Sequence, residues 1–166
     1  YILINKYDAL IDTGALLAGL PNKAAAEYIA TNDYFDDRFR GVCYFDPDHS
    51  GGMWVILDRL NMCVTPKVSS PIRERETFAL YDDARSRGAD LKLRIDAIAV
   101  ITLSTSITKD KLMQGAGRMR QFGVGQTLVI LGTPEIEKSI QRNLSLTEKI
   151  STRDILQWIM LNTREA

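Results

Sequence analysis

Residues 78–122, FALYDDARSRGADLKLRIDAIAVITLSTSITKDKLMQGAGRMRQF, decide how this chain folds. They read as strand, polar loop, strand, helix. Phe78-Ala79-Leu80-Tyr81 is a short apolar run that ends in Asp82-Asp83. Residues 97–103 (AIAVITL) form a continuous apolar run with β-branched members, the pattern of a strand buried on both faces. Thr108 opens a helix, and Asp110 stands in its first turn, where a carboxylate suits the helix dipole. Gln114, Gly117, Arg118 and Gln121 then fall at helical spacing on or near one face.

Toward the amino terminus, Ala9-Leu10-Ile11-Asp12 reads as the first central strand. Asp12-Thr13-Gly14 then stands at its carboxyl end, where open α/β sheets place ligands. The same three residues are common turn formers, and both readings stay open. Pro21 and Asn22 start an Ala-rich helix over residues 22–31. Arg40-Gly41-Val42-Cys43-Tyr44-Phe45 reads as the second strand, residues 46–52 as a turn, and residues 54–58 as its hairpin partner. Residues 61–76, with Pro66 and Pro71, read as a loop or edge segment. Tyr1-Ile2-Leu3-Ile4 is strand-like, as if the chain were cut from a longer protein.

Toward the carboxyl terminus, Gly123 and Gly125 are expected to end the helix begun at Thr108. Residues 127–131 supply the last strand, and Thr133-Pro134-Glu135 opens a helix reaching about residue 143. Ser151-Thr152-Arg153-Asp154 is a capped start for a final helix. Its apolar residues Ile150, Ile155, Trp158, Ile159 and Leu161 should pack on this domain or on a missing neighbour. Strands alternating with helices give an α/β three-layer domain, with a mostly parallel sheet and helices on both faces. Residues 1–143 make the lobe and residues 144–166 a helix packed on it.

Two polar clusters flank the 97–103 strand: Arg87-Gly88-Ala89-Asp90 before it, and Gln114-Gly115-Ala116-Gly117-Arg118-Met119-Arg120 after it. In order and spacing they resemble the last two motifs of superfamily 2 helicases and the related protein-export motor ATPases. There an Arg-Gly-x-Asp loop leads into a strand and then a helix carrying Gln-x-x-Gly-Arg. The likeness covers residues 76–134. It implies a RecA-like, P-loop-NTPase-like lobe. Arg118 and Arg120 would be catalytic, and Gln114, Gly117, Arg87, Gly88 and Asp90 would serve nucleotide binding and its coupling to a polymer track. ATP and Mg²⁺ would sit at the interface with a missing N-terminal lobe of the same protein. In the helicase pattern a second arginine stands where this chain has Gln121. Here Arg120 comes one place earlier, about 100° round a helix.

A second likeness spans most of the chain. Residues 9–16, the run from Asp83 to Leu93, Lys109-Asp110-Lys111-Leu112, Gln114 and Arg118-Met119-Arg120 resemble the C-terminal part of a family of very large eukaryotic proteins, often labelled ubiquitinyl hydrolases. That family has a His where Arg85 stands. The resemblance implies ubiquitin or another protein as partner, and a non-catalytic or peptidase-associated module as the alternative function.

Hydrophobic residues at 45% and charged residues at 25% are ordinary for a globular domain of 166 residues. Lys+Arg and Asp+Glu both number 21. That balance argues against tight nucleic-acid binding, which needs a basic footprint. No apolar run approaches the roughly 20 residues of a membrane span. Cys43 and Cys63 read as two buried small hydrophobes in a reducing, cytoplasmic or nuclear, setting. Cys43 with His49 is the one local pattern that fits a thiol peptidase. Asp46, Asp48 and His49 suit a solvated turn better than a metal loop. No Gly-x-x-x-x-Gly-Lys-[Ser/Thr] loop occurs, so the chain alone is expected to bind no cofactor and split no nucleotide. Gly115-Ala116-Gly117 reads as close packing of a helix on the sheet.

Overall fold

Apolar runs of three to six residues become strands in the computed structural model, which describes residues 1–85 and 90–166. The order is β1 (Ala9–Ile11), α1 (Asn22–Thr31), β2 (Gly41–Asp46), β3 (Met53–Asp58), β4 (Val64–Pro66), β5 (Thr77–Tyr81), β6 (Ile98–Thr102), α2 (Lys109–Ala116), β7 (Thr127–Leu131), α3 (Pro134–Leu144) and α4 (Thr152–Glu165). The strands form one sheet in the order β4-β3-β2-β5-β1-β6-β7. Strands β2, β5, β1, β6 and β7 are parallel, and the β2–β3–β4 meander adds an antiparallel edge. This is a mostly parallel α/β sheet with helices on both faces, as the alternation of strands and helices leads one to expect.

Each face has its own core, because alternate residues of a strand point to opposite sides. On one face α1 lays Ala25, Ala26, Ile29 and Ala30 against Val42, Tyr44, Phe78 and Leu80, with Phe35 and Phe39 stacked beside them. On the other face Cys43, Ala79, Ala9 and Ala99 stand side by side in register. Four small side chains in a row lower that surface. Leu91, Leu112, Met119, Ile136, Ile140, Trp158 and Ile159 fill the core above it. Trp158 and Ile159 bring α4 into this core, where it packs on α3 and α2. The α4 start is a capping box: the Ser151 hydroxyl accepts the Asp154 N–H while the Asp154 carboxylate accepts the Ser151 N–H. Thr108 and Thr133 cap α2 and α3 in the same way from one side.

Four local readings change. Tyr1 to Ile4 is not a strand: Asn5 N–H bonds the Tyr1 carbonyl, and the segment turns back so that Ile2 and Leu3 cover the α1-side core. The loop-or-edge reading of residues 61–76 narrows at 64–66 to the edge: they join the sheet as its outermost strand, where Pro66 is tolerated. Cys63, just before that strand, is exposed rather than buried.

The fourth change bears on function. Helix α2 stops at Ala116 and does not run on to Gly123. Two glycines in its last turn weaken it. Beyond it Arg118 N–H bonds Gly115 O, Met119 N–H bonds Ala116 O, and Phe122 N–H bonds Met119 O. These three-residue turns replace the α-helical repeat, so Arg118, Arg120 and Gln121 share no helix face, and the 100° offset of Arg120 does not apply.

A candidate site at the carboxyl end of the sheet

Strand β1 lies between β5 and β6, and its onward connection through α1 covers one face while theirs cover the other. Chains that part in this way leave a crevice at the carboxyl ends of the strands. A cleft of about 280 Å³ opens there, lined in part by Asp12, Asn22, Asp82 and Asp83. Asn22 Nδ2 bridges Phe45 O at 2.9 Å and Asp82 Oδ2 at 2.6 Å.

Asp12, only 3% exposed, resolves in favour of the turn. Its carboxylate accepts the Leu16 N–H at 3.0 Å, the Leu17 N–H at 2.9 Å and the Thr102 hydroxyl at 2.7 Å. The Thr13 hydroxyl donates to the Thr102 carbonyl, and Gly14 N–H donates to Thr102 Oγ1 at 2.9 Å. The group that stands where a ligand would be expected is thereby committed to locking the β1 turn onto the end of β6. A Cβ on Gly14 would stand 2.5 Å from Leu103 O, so only glycine fits. Gly115 matches it from above: a Cβ there would meet the Thr13 methyl at 2.6 Å and Ile101 Cδ1 at 2.9 Å. Gly115 thus serves close packing of α2 on the sheet, whereas a Cβ on Gly117 would meet only the Met113 and Gln114 carbonyls of the preceding turn.

Beyond β5, two ion pairs tie the polar loop to α2 and the turns after it. Lys111 Nζ is 2.8 Å from Asp83 Oδ1, and Arg120 Nε is 3.1 Å from Asp90 Oδ1. Asp90 therefore pairs with Arg120 and, among the described residues, not with Arg118 or Lys92, two of the partners its sequence neighbourhood suggests. Arg118 is half-buried and donates from Nε to the Gln114 carbonyl at 3.3 Å. Gln114 contributes that main-chain oxygen from within α2, and Gly117 caps the helix. Arg87 and Gly88 lie outside the described residues. The buried Tyr81 hydroxyl has no hydrogen-bond partner among the described residues. Burial first of all pushes its pKa up, Cys43, Glu74 and Asp90 add to the rise, and Arg118 opposes it. Sequence reasoning passed over Lys111 and Tyr81. An acid pair directly after a strand, with a lysine in the next helix's first turn, was the available signal.

Cys43 and His49 are not brought together as a catalytic pair. Cys43 is wholly buried, in register with Ala79 and Ile56. Burial pushes its thiol up to about 12, with Glu74 adding and Lys67 opposing. A nucleophile needs the thiolate, which this setting suppresses. His49 is half-buried in the β2–β3 turn, beside a cleft of about 530 Å³ shared with Lys23, Asp46, Asp48 and Asp82. No hydrogen bond joins it to Cys43 among the described residues. Asp46 instead accepts the Asp48 N–H at 3.0 Å, a turn interaction. Among the described residues no group of three or more His, Cys, Asp or Glu could hold a metal ion. No described helix is long and apolar enough to cross a membrane.

No known family model, curated protein or solved structure matches the chain.

Proposed function

We propose that this chain is the second, arginine-bearing lobe of a helicase- or translocase-like ATPase, whose nucleotide is held by a partner lobe. The observation that supports it is the pairing of Asp90 with Arg120 at the turn after α2, on a mostly parallel α/β sheet. Guanidinium groups stabilise charge on a transferred phosphoryl group without making bonds to it. Arg120 is held by a pair that is mostly exposed, at 54% and 68% for its two side chains, and such a pair yields at little cost. A phosphate approaching that surface can take Arg120 from Asp90 without leaving a buried charge behind. With no Gly-x-x-x-x-Gly-Lys-[Ser/Thr] loop in this chain, the phosphate-cradling loop and Mg²⁺ are assigned to the partner lobe. The buried, protonated Cys43 counts against a thiol-peptidase role.

The test is ATP turnover by the chain alone and by the chain joined to its upstream lobe. The expected result is none alone and turnover when joined, falling by about 10³-fold in Arg118→Ala and Arg120→Ala. A joined protein that hydrolyses no ATP, or that keeps full turnover in both variants, overturns the reading.

A further inference from the structure

A second concave site lies away from the carboxyl edge, between the short 3₁₀ turns Lys67–Ser69 and Glu74–Glu76 and the start of the chain's run toward β6. It encloses about 400 Å³, within the ~300–1,000 Å³ range of small-molecule sites. Four cations, Lys67, Arg73, Arg75 and Lys92, line it together with one carboxylate, Glu74. The carboxylate is already engaged. Glu74 Oε1 is 2.8 Å from Lys67 Nζ, and Oε2 accepts the Lys92 main-chain N–H. Among the described residues Arg73, Arg75 and Lys92 have no acidic side chain within ion-pair distance. What sets them apart from the chain's other cations without an ion pair is that all three line one concavity.

The Glu76 carboxylate, held on the Arg73 main-chain N–H at 2.9 Å, offsets part of the Arg73 charge; the positive charge that remains around the concavity repels itself, and the low-dielectric wall behind it focuses its field outward. Ile72, 3% exposed, lies in that wall, and Ser70 Oγ accepts the Ile72 N–H, which leaves the hydroxyl hydrogen to donate. A multivalent anion relieves the repulsion and uses the planar donors of two arginines, whose geometry matches phosphate. We infer that this cleft binds a phosphoanion of the polyphosphate class, with Arg73 and Arg75 as the main ligands and Lys92 as a third charge. The site is independent of Arg118 and Arg120.

The probe is inorganic pyrophosphate, titrated calorimetrically into the whole chain at low salt, with inorganic phosphate as a second arm. Wild type should show saturable one-to-one binding, tighter for pyrophosphate than for phosphate. Arg73→Gln/Arg75→Gln should weaken it by at least roughly tenfold, since charged hydrogen bonds of this kind are lost. Both residues are exposed at the rim, so the variant keeps its fold, checked by circular dichroism. Lys138→Gln/Lys149→Gln, which removes two exposed lysines elsewhere, should bind as wild type does. Glu74→Gln, which frees Lys67, should bind more tightly. Absence of saturable binding overturns the inference. So does equal weakening by the Lys138/Lys149 variant, or unchanged affinity in the arginine double variant.

Discussion

Asp90 and Arg120 stand thirty residues apart in sequence, and Arg120 Nε donates to Asp90 Oδ1 at 3.1 Å. The pair closes the polar loop after β5 onto the turn after α2. Both side chains are more than half exposed, so solvent screens the attraction. Asp90→Ala and Arg120→Ala should therefore each change stability by less than about 1 kcal/mol. Urea melts of the two variants and the wild type check this. A loss of several kcal/mol in either would contradict the exposure of the pair.

The two cysteines should behave as opposites. Cys63 is exposed and Cys43 is buried with its thiol pushed up to about 12. A disulfide reagent at pH 8 should find one fast thiol per folded chain, and none in Cys63→Ser. Both chains should gain one more thiol in denaturant. Rapid labelling of Cys43 in the folded Cys63→Ser variant would contradict the burial and reopen the thiol-peptidase alternative.

Gly115→Ala sets two effects against each other. Alanine favours a helix over glycine by about 1 kcal/mol. Against that, the new Cβ would stand 2.6 Å from the Thr13 methyl, and Thr13 cannot swing aside while its hydroxyl is bonded to the Thr102 carbonyl. Overpacking of this kind costs about 1–3 kcal/mol, so the substitution should be destabilising overall. The thermal midpoint reads the outcome, and a variant at or above the wild-type midpoint would show that α2 can lift from β1.

Asp154 gives α4 a pH dependence of defined sign. The Ser151 hydroxyl, then the Ser151 main-chain N–H, hold its carboxyl below the usual 3.8. A depressed carboxylate adds stability above its unfolded pKa, and the contribution is lost as pH falls through the folded value. Amide protons of the first turn of α4 should therefore lose protection as pH falls below the ordinary carboxylate range, relative to the rest of the helix. Asp154→Asn should flatten that difference. A wild-type profile parallel to that of Asp154→Asn would rule out the capping carboxylate as the cause.

What could be read in the sequence was what neighbours decide. Thr108, Thr133-Pro134 and Ser151…Asp154 mark their helix starts by local hydrogen bonding, and all three are observed as caps. The apolar runs gave the strands because burial on both faces leaves no polar position in the period. Distance along the chain hid the rest. Nothing local tells Asp90 to choose Arg120 over Arg118, since the choice depends on where α2 ends. That end was missed because helical spacing alone ignores what Gly115 and Gly117 do to the last turn. Asp12 was legible as a turn former or a ligand, and only the partners from β6 and the turn decide between them.

The place of β1 in the sheet also governs when the protein can form. Ala9 pairs with Ala79 on one side and with Ala99 on the other. During synthesis β1 therefore emerges long before either neighbour exists, and the middle of the sheet cannot close until β6 has left the ribosome. Non-local pairing of this kind slows folding, because the loop must be closed before any contact rewards it. The β2–β3 hairpin and α1 can assemble first, leaving a three-residue apolar strand unpaired in the meantime. In the nascent chain β1 is therefore the segment that most needs shelter, and β6 is the arrival that ends its exposure.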